Sequence, residues 1–326
     1  MSGEPVPEPV VVCLGGMVSG LCSVGVEALL DDTVKLVDIV DAVWGEDPER
    51  PILFVAPSLR GFSGFLRSLG EMGRNPFLVE VTGVPETMLS GLSMDKLIEY
   101  YAGFIALTFG ERRRASKRRP AVTRRELFRR LFLVTPEYVI QPRGLGAGCD
   151  DACPLGALRG GRVEESRCRG CMVCLHRCGA STLWAGAAAM AYAYRYVSEH
   201  GLDGVLFVCR ERLDLLDEKA IEASPAKLLP VHLPCTGWLS PRLVAAMAGL
   251  GVYVHVLAGP GVCSGCPRWE PLASAGHLDA LREAGAVVSE DLSPASSYAY
   301  TGYTRKRLDM EEVLRVLEEA LAGEEP

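Results

Sequence analysis

Residues 149–178 constrain this chain more tightly than any other stretch. They read Cys149-x3-Cys153-Pro154, then Cys168-x2-Cys171-x2-Cys174-x3-Cys178, which packs six of the twelve cysteines into thirty residues. Thiols repeated every third residue face a common point only when the backbone wraps around that point, and their thiolates then match the charge of a metal. A disulfide scaffold would be short and poor in core residues, whereas this chain has 326 residues and 48% apolar side chains. Between the two cysteine groups, Leu158 to Val163 reads as a β-hairpin turning at Gly160-Gly161.

The spacing resembles that of a two-cluster bacterial ferredoxin over about 40 residues. In that family three cysteines of the CxxCxxC run hold three corners of a [4Fe–4S] cubane, and the fourth cysteine of the run serves the other cluster. The resemblance therefore assigns one [4Fe–4S] cluster to Cys153, Cys168, Cys171 and Cys174. A complete first half would need cysteines at positions 143 and 146, where Arg143 and Gly146 stand, and Gly179 replaces the proline after Cys178. Cys149 and Cys178 are then left as free thiols or as a disulfide. Zinc is the alternative metal, since CxxC pairs also form zinc knuckles.

Around this segment the pattern is α/β, with two parallel-sheet units flanking the ferredoxin-type (α+β) iron–sulfur segment. In the first unit the β-rich runs are Val10–Leu14, Ile52–Ala56 and Phe77–Thr82, with helical patterns near Val24–Val43, Gly64–Met72 and Met94–Phe109. In the second, strands are expected at Gly204–Val208, Leu229–Leu233, Val252–Leu257 and Ala286–Ser289, with helices over 180–199, 240–249, 271–284 and 309–322. The predicted domains are 1–110, a basic connector 111–135, the ferredoxin-like segment 136–182, and 183–326.

Four further cysteines follow strands of the second unit: Cys209, Cys235, Cys263 and Cys266. Parallel strands share one C-terminal edge, so three separate stretches deliver four thiols to one place. Leu233-Pro234-Cys235-Thr236-Gly237, Ser240-Pro241 and the glycine-rich loop around Cys263 and Cys266 resemble the delta subunit of methyl-viologen-reducing hydrogenase, a [2Fe–2S] protein that feeds heterodisulfide reductase. The resemblance implies a second, [2Fe–2S], cluster on these four cysteines. In that family more than one cysteine follows the first strand and the last pair is wider, so zinc and ordinary core thiols stay open.

The first unit resembles the leading segment of the heterodisulfide reductase A subunit through Val55-Ala56-Pro57-Ser58-Leu59-Arg60 and Asn75-Pro76-Phe77-Leu78-Val79-Glu80. Pro57 stands where that family has a cysteine, leaving only Cys13 and Cys22 nearby. Gly15-Gly16-Met17-Val18-Ser19-Gly20 is a poor dinucleotide fingerprint, with Met17 in a glycine position, so FAD is not expected.

The expected role is electron transfer as a subunit of a heterodisulfide-reductase- or hydrogenase-type redox complex, with other redox subunits as partners. The alternatives are a non-catalytic scaffold holding a structural cluster or zinc, and a flavin-dependent oxidoreductase. Met1–Pro9 lacks the basic and apolar segments of a signal peptide, and no apolar run reaches the roughly 18 residues of a membrane span, so the cytoplasm is the expected compartment. Residues 111–130 hold ten Lys or Arg and two Glu, while 24 basic residues face 39 acidic ones elsewhere. A protein so acidic outside one strip is not expected to bind nucleic acid. The strip suits an acidic redox partner instead. Replacing Arg112, Arg113 and Arg114 by Ser is expected to slow reduction by such a partner at low salt, with the deficit shrinking as salt rises; equal stopped-flow rates at low salt would leave the strip a solvated connector.

Overall fold

The computed structural model describes residues 8–48, 50–74, 78–116, 147–160, 162–164, 167–178, 186–216, 221, 224, 226–293 and 308–322. The chain is α/β and divides into two compact units, Met1–Glu137 and Tyr138–Pro326. The ferredoxin-type segment thus belongs to the same unit as the second sheet.

In the first unit, β1 (Val10–Leu14), β2 (Val24–Val26), β3 (Ile52–Ala56) and β4 (Val79–Gly83) form one sheet in the order β2-β1-β3-β4, every pair parallel. Strands β1, β3 and β4 are buried at every position, which is why VVVCL and ILFVA are unbroken apolar runs: both faces are covered. The helices are α1 (Thr33–Glu46), α2 (Phe62–Glu71), α3 (Val84–Ser90) and α4 (Met94–Ser116). Phe65 of α2 lies edge-on to Phe54 of β3 with ring centroids 5.6 Å apart. The Glu86 carboxylate accepts the Gly83 N–H at 2.9 Å and closes the start of α3.

The helix expected over Val24–Val43 is a strand followed by a shorter helix. Ser23 holds both backbone groups of Val11, its N–H donating to Val11 O at 2.8 Å and its hydroxyl accepting the Val11 N–H at 3.2 Å. Cys22 is joined to Cys13 by a disulfide. Those tethers lay Val24–Val26 alongside β1, so the Gly15–Gly20 turn leads into a strand and not into the helix a dinucleotide site requires. The expected helix Met94–Phe109 runs on to Ser116 and takes in Arg112, Arg113 and Arg114. The rest of the basic strip and Asn75-Pro76-Phe77 lie outside the described residues.

In the second unit a two-stranded hairpin, β5 (Leu158–Arg159) with β6 (Arg162–Val163), and a short helix, α5 (Val173–Arg177), form the cysteine-rich segment. Helix α6 (Ala187–Glu199) leads into β7 (Gly204–Cys209), β8 (Leu228–Leu233), α7 (Pro241–Gly249), β9 (Tyr253–Leu257), α8 (Pro260–Cys263), α9 (Trp269–Ser274), α10 (His277–Glu283), β10 (Val287–Ser289) and α11 (Met310–Ala322). The sheet order is β10-β9-β7-β8, again all parallel. Numbered within its own unit, each sheet therefore runs 2-1-3-4. Helices α6, α7 and α11 pack together, and α11 buries Val313 and Leu317. The helix expected over 271–284 is broken at Gly276, whose φ of 64° ends α9 and starts α10. Among the described residues no helix is long and apolar enough to cross a membrane.

His255 is fully buried in β9, with Nδ1 3.2 Å from the Tyr253 hydroxyl and Nε2 2.8 Å from the Ser289 hydroxyl. Burial pulls its pKa down to about 4 against the pull of Asp291. The unfolded chain then binds a proton more readily than the folded one between about pH 6.5 and 4. The stability carried by neutral His255 is present above that window and is lost as pH falls through it. Urea unfolding of the wild type is expected to weaken over that range more steeply than that of His255→Gln; equal pH slopes would contradict this.

Candidate metal centres

Two sets of four cysteines lie in the second unit. The first belongs to the hairpin segment. Cys153 follows a 3-10 helix (Ala147–Ala152) and Cys168 follows β6, while Cys171 and Cys174 sit at the entry to α5. Gly170 and Met172 both take left-handed backbone angles, φ 66° and 62°, and Met172 is the non-glycine residue among the described ones that does so. Those two reversals turn the chain around the three thiols, at a cost the surrounding structure has to offset for Met172.

The four thiols act on one another. Burial above all, with Cys153, Cys171 and Cys168 adding to it, raises the Cys174 thiol to about 12. Burial also raises Cys171, with Cys153 and Cys168 adding to it. Opposing these effects, backbone N–H groups aim at sulfur: Ala157 N is 3.3 Å from Cys153 Sγ, Gly170 N is 3.4 Å from Cys168 Sγ, and the Val173 amide favours the thiolate of Cys171. Cys149 and Cys178 are disulfide-bonded to each other. Of the six cysteines in this segment, the four assigned from the sequence are thus the free ones.

The second set sits at the C-terminal edge of the sheet. Cys209 ends β7, Cys235 follows β8, and Cys263 and Cys266 follow β9. Strands β7 and β9 are the first and third of this unit, so the set lies at the point where the strand order reverses, the usual crevice of an open parallel sheet. Burial, helped by Cys266 and Cys263 and opposed by Arg268 and the Gly237 amide, leaves the Cys235 thiol raised to about 12. Cys209 is raised well above its ordinary value by burial and then by Cys235. The Glu290 carboxylate accepts the Gly261 N–H at 2.7 Å and holds the loop that carries Cys263.

Among the described residues, no group of three or more His, Cys, Asp or Glu side chains is arranged to hold a single metal ion. The donor chemistry fits iron–sulfur ligation: all-thiol sets, partly buried, with amides directed at the sulfurs, the pattern that favours the deprotonated ligand and tunes a cluster.

The two sets meet through direct contacts. Trp238, 1% exposed, donates from Nε1 to the Gly170 carbonyl at 3.1 Å. His176 Nε2 donates to the Gly237 carbonyl at 2.9 Å, and its ring stacks on His277 with centroids 5.1 Å apart. The loop 235–238, which carries Cys235, is therefore pinned to the loop 168–176, which carries three thiols of the first set. Neither Trp238 nor the two histidines stood out in the sequence. Arg268, the buried cation beside Cys235, also gave no local signal beyond following Cys266-Pro267.

In the first unit Cys13 and Cys22 are the two cysteines, and they are bonded to each other. The Pro57 ring packs at the Gly15 turn, where a Cβ on Gly15 would lie 2.9 Å from Pro57 Cγ. That unit offers no free thiol. No family model matches the chain, and no curated protein and no solved structure matches it.

A Cβ on Gly237 would lie 2.9 Å from the Cys171 carbonyl oxygen and would strike the Leu272 side chain. Gly237→Ala is expected to push the two cysteine loops apart, costing about 1–3 kcal/mol in urea unfolding. It should also speed alkylation of Cys171, which is 6% exposed in the folded chain; an unchanged unfolding midpoint and alkylation rate would show that the loops are not held there.

Proposed function

We propose that this chain is an iron–sulfur electron-transfer protein, a subunit of a heterodisulfide-reductase- or hydrogenase-type complex. Cys153, Cys168, Cys171 and Cys174 are the ligands we assign to a [4Fe–4S] centre, and Cys209, Cys235, Cys263 and Cys266 those of a [2Fe–2S] centre. The observation that supports this reading most is the hydrogen-bonded junction between the two thiol sets, Trp238 to Gly170 and His176 to Gly237. Such clusters, when bound, accept and release single electrons with no bond made or broken in a substrate.

The chain's own residues do three things in this reading. The amides of Ala157, Gly170, Val173 and Gly237 stabilise thiolate ligands. Trp238 and Leu239, 1% and 0% exposed, keep water out of the junction. His176 and His277 lie in the contact as neutral rings, burial pulling them down to about 4 and about 3. They add no charge that would bias one centre at pH 7.

The partners we propose are other redox subunits, and the compartment the cytoplasm. Reducing compartments open accessible disulfides; Cys13 and Cys149 are buried while their partners Cys22 and Cys178 are half-buried, so each bond is covered on one side. The two disulfides also favour a second reading, a scaffold that has lost ligands and keeps one structural cluster. A reversible redox titration separates that reading from electron transfer.

In the full chain purified anaerobically, Cys171→Ser is expected to remove most of the reducible [4Fe–4S] paramagnetic signal. Cys149→Ser should leave that signal nearly intact. Cys235→Ser should remove the second centre's iron and sulfide and spare the first. Equal loss from Cys171→Ser and Cys149→Ser would refute the ligand assignment, and bound zinc without sulfide at the second site would refute electron transfer through it.

A further inference from the structure

Arg268 occupies the junction between the two thiol sets. It precedes α9, two residues after Cys266, and its side chain is 13% exposed. Nη1 donates to the Pro234 carbonyl at 3.3 Å, next to Cys235, and lies 3.4 Å from Glu211 Oε1. Its Nε reaches the other loop, since a Cβ on Gly170, between Cys168 and Cys171, would lie 3.9 Å from it. That Nε is buried and has no hydrogen-bond partner among the described residues.

A guanidinium is charged at any physiological pH. The nearest acid, Glu211, is 53% exposed, so water screens much of its counter-charge. What remains is a fixed positive charge beside Cys235, with an unused N–H donor next to Gly170 of the loop that carries Cys168 and Cys171.

We infer that Arg268 is a positioning residue that raises the reduction potentials of both centres, through one positive charge shared across their junction. The inference rests on the electron-transfer reading above. Reduction adds one negative charge to a centre, and a nearby buried cation favours the form that carries it. Because one charge serves both sets, the two potentials are tied to each other, with the larger effect at Cys209, Cys235, Cys263 and Cys266. The Pro234 hydrogen bond fixes the guanidinium beside Cys235, so its influence does not depend on a mobile surface side chain.

The test uses the full chain, purified anaerobically, with each centre titrated by EPR against a series of dyes. Arg268→Gln is expected to lower the reduction constant of the second centre about tenfold, equivalent to about 59 mV for a one-electron couple. The first centre should shift in the same direction by less. Arg268→Lys, which keeps the charge, should retain most of the wild-type potential. Unchanged potentials in Arg268→Gln with both centres loaded would overturn the inference, as would an equal shift in Arg268→Lys. Should Arg268→Gln lose iron, Glu211→Gln takes its place: removing the counter-charge is expected to raise the second potential, and an unchanged or lower value overturns the inference. Iron and sulfide analysis of the wild type separates the two failures, because an unloaded second site refutes the electron-transfer reading before any variant is made.

Discussion

Parallel strand pairing is the constraint on which the rest of this structure depends. It places the C-terminal end of every strand on one edge, so residues far apart in the chain arrive together without any local signal that they should. Cys209, Cys235 and Cys263 are separated by 26 and 28 residues and follow three neighbouring strands, β7, β8 and β9. The strand order 2-1-3-4 then opens a crevice between the first and third strands, beside the same thiols. Both faces of the sheet must be covered for such strands to be stable, and the apolar runs of β7 and β8 are the sequence-level expression of that cover.

The same arrangement occurs twice with different outcomes. The first unit repeats the topology of the second, but the edge of its sheet carries Pro57 and a bonded Cys13–Cys22 pair in place of free thiols. The buried β1, β3 and β4 are those of a stable parallel sheet, while the side chains at its strand ends retain no thiol able to ligate a metal.

Features carried by local spacing were legible in the sequence. The thiol run is fixed by intervals of three residues, the strands by unbroken apolar runs, and the β5–β6 hairpin by its glycine pair. Features created by docking were not legible. Strand β2 is three residues long and largely exposed, so tethers to Val11 and Cys13 define it, and its own composition does not. Gly276 interrupts a helical pattern in which a lone glycine is often tolerated, and its left-handed angle reveals the break. Arg268, Trp238 and His176 gain their meaning from partners 34, 68 and 61 residues away, a distance no periodicity spans.

The Cys149–Cys178 bond bears on how a metal centre would be assembled here. Six thiols in thirty residues present an incoming metal with many competing ligand choices, and an unfolded segment has little means of ranking them. Tying two of them to each other removes them from the competition and leaves one combination of four. The bond also joins the 3-10 helix before Cys153 to the residues after α5, so the outer ends of the segment are held together. With Cys149 and Cys178 bonded to each other, the thiols left in this segment are those of Cys153, Cys168, Cys171 and Cys174.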